Sequence, residues 1–274
     1  MLNKIEKIVV TIPARLESSR LPNKVMAEIG KKTMIERVLF SCSKAKNIDE
    51  IFLCTDNNEI YNHTRSLGYK ALKTIKNLSS GTERISSVLR DIALQFYPIE
   101  KDCSEEILIK LLSKIAIINV QGDQPFLDPD VITSMVQIFK NSAFPPELIT
   151  PIYKLSKESI HNPNVVKTLI NGNKKAIYFS RAAIPFVRDF EKDDWHLKNI
   201  FWGHVGIYGY RGDILKKWNT LNSSYLEKLE KLEQLRFIEA GYLFDTFEVQ
   251  GDFLSVDTLD QLQKAREIAE KLDT

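Results

Sequence analysis

Three cysteines, Cys42, Cys54 and Cys103, are all the thiols in 274 residues. The count is odd and no pair has zinc-ligand spacing, so neither a disulfide framework nor a zinc ribbon is expected. Plain buried thiols in a reducing, cytoplasmic setting fit better. Eleven glycines and ten prolines are too few for a collagen-like or linker-rich chain. No apolar run approaches the ~18 residues of a membrane span. The early run KIVVTI is too short for a signal sequence and meets Pro13 and Arg15 with no cleavage site. No excess of one charge exists either, with 38 basic and 36 acidic residues and a net charge of +2. The basic residues are scattered among acidic ones, so a nucleic-acid partner is not expected. Walker A and GxGxxG loops are both missing, which removes the standard P-loop and dinucleotide readings.

What is present is an alternation of strands and helices. Strands are expected at Ile8 to Ile12, Ile51 to Thr55, Ala71 to Thr74, Ile115 to Val120 and Leu148 to Tyr153. Several are nearly continuous apolar runs, the mark of strands buried on both faces. Between them, helices are expected near Met34 to Ala45, Glu59 to Leu67, Thr82 to Phe96 and Asp130 to Asn141. This order implies an α/β fold with a mostly parallel, Rossmann-like sheet and helices on both faces. The second half is less regular. Val165 to Ile170 and Ala176 to Ser180 flank the hairpin signal Asn171-Gly172. Further strands are expected at Val205 to Tyr210 and Phe244 to Val249. Helices follow at Asp213 to Trp218, Tyr225 to Ala240 and Leu259 to Leu272. The stretch from Pro98 to Ser113 reads as a surface excursion with a short helix. With no linker in sight, residues 1–274 form one domain, with an antiparallel arm within 151–212.

Two segments carry chemistry where strands end, the place where open α/β sheets bind ligands. IPARLESSRLPNK sets Arg15, Arg20 and Lys24 on a loop braced by Pro13 and Pro22. Such a loop suits a triphosphate, or is a solvated connection. NVQGDQP follows an apolar run and presents Asp123 beyond Gly122. That carboxylate suits Mg²⁺ held jointly with phosphates, or a turn that bonds its own backbone. Asp257, before the last helix, is a second metal candidate and equally a helix cap. Ser80, Gly81 and Thr82 open a helix. Glu233 and Gln234 fall inside an amphipathic helix, where a solvated polar face is the plainer reading. A lone histidine such as His204, just before a strand, is more often structural than catalytic.

Taken together, IPAR…SSRLPNK, SGTER, NVQGDQP, NPNVVK, YFSRAAIP, HVGIYGYR, LEKLEQLR and VDTLDQL resemble the 3-deoxy-manno-octulosonate (Kdo) cytidylyltransferase family. They run in the family's order from Ile12 to Leu262. The resemblance implies transfer of CMP from CTP to the anomeric hydroxyl of Kdo, with pyrophosphate released, in lipopolysaccharide synthesis. It implies a nucleotide site of Pro13, Ala14, Arg15, Arg20, Lys24, Ser80, Gly81, Thr82, Gln121 and Asp123. Of these, Arg15, Lys24 and Asp123 would be catalytic. Gln121, Arg181, His204, Tyr208, Glu233 and Gln234 would face the sugar acid, and Asp123 and Asp257 would hold Mg²⁺. A homodimer is implied, with Phe186, Trp195, Phe201 and Trp202 as apolar surface candidates. Two departures stand out. The family usually has an acid where this chain has Gln124, and the stretch before NVQGD is longer. An 8-amino octulosonate, another acidic sugar such as sialic acid, or binding without turnover are the competing readings.

Overall fold

A computed structural model describes residues 4–16, 21–251 and 253–272. Its strands are β1 (Lys7–Pro13), β2 (Glu28–Ile29), β3 (Lys32–Thr33), β4 (Glu50–Thr55), β5 (Lys70–Lys73), β6 (Ile115–Asn119), β7 (Leu148–Lys154), β8 (Lys167–Ile170), β9 (Lys175–Ser180), β10 (Trp202–His204), β11 (Tyr208–Arg211) and β12 (Phe244–Glu248). Its helices are α1 (Met34–Ser43), α2 (Asn58–Ser66), α3 (Gly81–Ser86), α4 (Leu89–Leu94), α5 (Glu105–Leu112), α6 (Pro129–Asn141), α7 (Lys157–Ile160), α8 (Trp195–Lys198), α9 (Gly212–Lys217), α10 (Tyr225–Glu230), α11 (Leu235–Glu239) and α12 (Leu259–Leu272).

The apolar runs alternate between two cores, as double-sided burial requires. In β1, Ile8, Val10 and Ile12 pack on one face with Ile35 and Val38 of α1 and Val136 and Phe139 of α6. Val9 faces the other way, with Ile85, Leu89 and Ile92. In β6, Ala116 and Ile118 join the first core while Ile115 and Ile117 join the second. Pairing in the order β6-β1-β4-β5 is parallel throughout.

Beyond β6 the sheet is mixed rather than mostly parallel. β11 enters antiparallel between β6 and β7, while β12 joins β7 in parallel. The β8–β9 hairpin is antiparallel, as the Asn171-Gly172 signal implies. Its positive φ falls at Lys174, and Asn171 Oδ1 accepts from the Asn173 and Lys175 N–H groups at 3.0 Å each. β10 pairs with both β8 and β7, so β7, β12, β9, β8 and β10 close into a ring. Gly209 in β11 lets this region pack. A Cβ there would lie 2.6 Å from Ile149 Cγ2 and 2.7 Å from the Phe139 ring.

Three expected elements are interrupted. Val205 to Tyr210 is not one strand, because Gly206, at φ +83°, separates β10 from β11. Thr82 to Phe96 is two helices with a break at Val88. Tyr225 to Ala240 is also two, ended at Lys231 by a left-handed backbone at φ 54°. The expected helix in the Pro98 to Ser113 stretch is α5, tied to its neighbours by Glu105, which meets Arg90 at 2.7 Å and Lys216 at 3.1 Å.

Candidate active site

At the carboxyl ends of β1 and β6 a cleft of about 620 Å³ opens. One wall carries Pro13, Ala14, Arg15 and Lys24; Gln121, Gly122 and Asp123 form its floor. A Cβ on Gly122 would come within 3.2 Å of the Pro13 carbonyl oxygen, so the two loops touch through backbone. Across the cleft stand Ser80, Gly81, Arg84, Glu233 and Arg236.

Lys24 Nζ is the centre of the charge pattern. It donates to Asp123 Oδ2 at 2.8 Å and to Asp257 Oδ1 at 2.8 Å. Burial disfavours the ammonium, but the two carboxylates outweigh it and hold its pKa above the ordinary lysine value. Asp257 reaches this point because the Val256 N–H donates to the Asp123 carbonyl at 2.9 Å, strapping the C-terminal segment to the loop after β6. Helix capping falls to its neighbour. Thr258 Oγ1 accepts from the Gln261 N–H at 3.3 Å, and Gln261 Oε1 accepts from Asp257 and Thr258 N–H groups at 2.8 and 3.1 Å. The Asp257 carboxylate lines the cleft.

Ser80 caps α3, accepting from the Glu83 N–H at 3.1 Å. The N–H of Thr82 donates to Glu233 Oε2 at 3.2 Å, and its hydroxyl lies 3.3 Å from Tyr210 Oη. Burial pushes the Glu233 carboxyl above the usual carboxylate range, opposed by the bond from Thr82. The expected position of Glu233 and Gln234 inside a continuous helix is wrong. Both fall in the break between α10 and α11, and the turn at Lys231 is what aims Glu233 at the cleft.

The remaining expected residues stand elsewhere. Tyr208 and Gln234 are buried behind the wall, joined by Tyr208 Oη donating to Gln234 Oε1 at 3.0 Å. His204 is buried, with Nε2 2.9 Å from Thr150 Oγ1, which itself donates to the Ile207 carbonyl at 2.7 Å. Nε2 therefore carries the proton, and burial pushes the imidazole pKa down to about 3. Arg181 is engaged by the carbonyls of Glu230 at 2.8 Å and Pro163 at 3.2 Å. Gln124 is buried and donates to the Val205 carbonyl at 2.7 Å, pinning the β10–β11 connection. Arg20 lies outside the described residues.

Several wall residues were given no site role from the sequence. Arg84 is nearly buried, 3.2 Å from Asp56. Arg236 makes two bonds of 2.8 Å to the Glu227 carboxylate and lies 4.0 Å from the Trp218 ring centroid. Lys228 and Lys231 add two more cations. Arg84 and Arg236 belong to the motifs SGTER and LEQLR. Lys231 lies within LEKLEQLR, whereas Lys228 carries no sequence signal.

Among the described residues, no cluster of three or more His, Cys, Asp or Glu side chains converges as a metal cage. Two converging carboxylates nevertheless suit Mg²⁺, which takes one or two from a protein and completes its shell with phosphates and water.

An α/β sheet with a lysine bridging two carboxylates beyond the end of β6 fits the nucleotidyltransferase class. Residues 9–248 match the family model described as cytidylyltransferase, and the chain belongs to that family. The 3-deoxy-manno-octulosonate cytidylyltransferase of Syntrophus aciditrophicus (strain SB) is 35% identical over 264 residues, covering 96% of this chain and 98% of the relative. Its counterpart from Francisella tularensis subsp. holarctica (strain LVS) is 36% identical over 260 residues, covering 94% and 97%. A solved structure of CMP:2-keto-3-deoxy-manno-octonic acid synthetase complexed with CTP aligns with a TM-score of 0.82 at 32% identity, covering 97% of this chain and all of that one. A glucose-1-phosphate thymidylyltransferase from Bacillus anthracis shares the fold, with a TM-score of 0.59 at 16% identity over 96% of this chain and 94% of that one.

Proposed function

We propose that this chain transfers CMP from CTP to the anomeric hydroxyl of 3-deoxy-D-manno-octulosonate. The sugar oxygen attacks the α-phosphorus in line, the bond to the bridging oxygen of the β-phosphate breaks, pyrophosphate leaves, and the hydroxyl proton passes to water. The observation that carries this reading is Lys24 Nζ set 2.8 Å from both Asp123 and Asp257 beside a cationic loop. Chemistry of this kind needs neutralised charge and fixed geometry more than a covalent nucleophile.

Arg15 and Lys24 hold the phosphates and the departing pyrophosphate, with Arg20 assigned by resemblance. Pro13, Ala14, Ser80, Gly81 and Thr82 surround the nucleoside. Gln121 and Glu233 contact the sugar acid at the cleft surface. Tyr208, Gln234, His204 and Arg181 support that subsite from behind. Asp123 and Asp257 would hold Mg²⁺, which when bound neutralises phosphate charge and polarises the α-phosphate.

The reading includes a cytoplasmic homodimer serving lipopolysaccharide synthesis. No described helix is long and apolar enough to cross a membrane. Within 151–212, Phe186 is 73% exposed, Leu197 67% and Ile200 52%, an apolar face suited to a second copy. Trp195 and Phe201, candidates for that surface or for core, are buried together with rings 6.1 Å apart. Incubating CTP with Kdo and Mg²⁺ and measuring pyrophosphate tests the reading. Sedimentation at assay concentration tests the dimer.

A further inference from the structure

Helix α10 flanks the cleft with no fully buried side chain, and Leu226 packs partly buried against the second core. Polar ties add to that contact. Arg236 binds Glu227, and the Leu226 N–H donates to Glu239 Oε2 at 2.9 Å, but both ties run to α11. Among the described residues, the hydrogen bonds that reach the sheet are made by Glu230. Its Oε1 accepts from Ser180 Oγ at 2.6 Å and its Oε2 from the Arg181 N–H at 2.9 Å. Its main-chain oxygen accepts from Arg181 Nε at 2.8 Å. Ser180 and Arg181 stand at the end of β9, and Ser180 Oγ also accepts from the Ala182 N–H at 3.0 Å.

The next residue, Lys231, has φ 54° and ψ 45°, a backbone region disfavoured for lysine. A conformation of that kind persists where surrounding contacts hold it. The turn puts Lys231, Leu232 and Glu233 on the cleft wall. We infer that Glu230 is a positioning residue for the sugar-acid subsite. It clamps the left-handed turn to β9 so that Lys231 and Glu233 face the acceptor. This inference rests on the proposed reaction.

The test compares wild type, Glu230→Ala and Glu230→Gln, varying CTP and Kdo separately, with amide hydrogen exchange followed over residues 231–236. Glutamine keeps an acceptor for the Arg181 N–H and a partner for Ser180, so it should rescue. The expected result for Glu230→Ala is a KM for Kdo raised ~10-fold, with that for CTP within about twofold, as loss of bonds to a charged group suggests. Exchange over the turn should be faster, and Glu230→Gln should lie within about twofold of wild type. A merely structural loss would lower kcat with both KM values unchanged; that outcome overturns the inference, as does Glu230→Gln as impaired as alanine. Wild type inactive on CTP and Kdo would count against the proposed reaction itself. Exchange then decides, and unchanged exchange in Glu230→Ala overturns the clamp.

Discussion

Lys24 and Asp257 are 233 residues apart in sequence and 2.8 Å apart in space. The first turn after the basic loop and the segment before the last helix thus meet at one ammonium. Asp123, at the end of the central strand β6, completes the triad of charges at the same distance. Lys24, the loop after β6 and the C-terminal segment are joined electrostatically at the cleft.

Replacing the centre of that triad should be severe. Lys24→Met leaves two carboxylates facing each other and removes a charge from the phosphate site. We expect kcat to fall by at least ~100-fold, the scale for losing an electrostatic group that acts on the transition state. Steady-state kinetics with pyrophosphate detection reads this.

Asp123→Asn and Asp257→Asn should each lower kcat by at least ~100-fold as well. Chelation of divalent cations should abolish turnover by wild type, and added Mg²⁺ should restore it. Near-normal turnover by either variant would remove that carboxylate from the metal's holding set.

Gly81→Ala should weaken nucleotide binding. The new methyl would lie 3.0 Å from Pro13 Cγ and 3.2 Å from Gln121 Oε1. Both neighbours line the cleft, and one must give by a few tenths of an ångström. We expect the KM for CTP to rise several-fold with little change in Tm.

Gly209→Ala should act on stability instead. Its methyl would meet Ile149, Phe139 and Met135 at 2.6, 2.7 and 2.9 Å. Overpacking of this kind costs about 1–3 kcal/mol. Thermal unfolding should show a Tm lower by several degrees.

His204 should make the fold acid-sensitive. Its pKa is about 3 when folded against 6.5 for the free side chain. Above pH 6.5 both states are neutral and the contribution is at its maximum. Between pH 6.5 and 3 the unfolded chain binds a proton that the folded chain refuses. Stability therefore falls as pH falls, by ~1.4 kcal/mol per unit from this group. His204→Gln should show a shallower acid slope in denaturant titrations at pH 6 and pH 4. An unchanged slope would contradict the assignment.

The central sheet was legible because burial on two faces leaves a plain mark. Ile8 to Ile12 and Ile115 to Val120 had to be apolar at consecutive positions to feed two cores. The reading stopped where backbone signs were misleading. Lys231 ends a helix in a left-handed turn normally given to glycine or asparagine, so the pattern ran on from Tyr225 to Ala240. Gly206 was in plain view but sat within an apolar run that suited a strand. The individual loops of the cleft could be located, since each follows a strand end. Their convergence was expected from the family resemblance, but its physical cause was not legible, because the bond from Val256 to the Asp123 carbonyl is a tertiary contact between backbones. The T-x-x-Q pattern at Thr258 and Gln261 did hold a clue, since threonine and glutamine there bond the first turn of α12. His204 and Arg181 illustrate the opposite case. Their chemistry suggests direct contact with an acidic sugar, whereas local bonds to Thr150 and Glu230 engage them first.

The most direct measurement is pyrophosphate release from CTP and Mg²⁺ with Kdo, its 8-amino form and N-acetylneuraminate as alternative acceptors. The account predicts release with Kdo and formation of CMP-Kdo. Release with N-acetylneuraminate alone, or with none of the three, would contradict it.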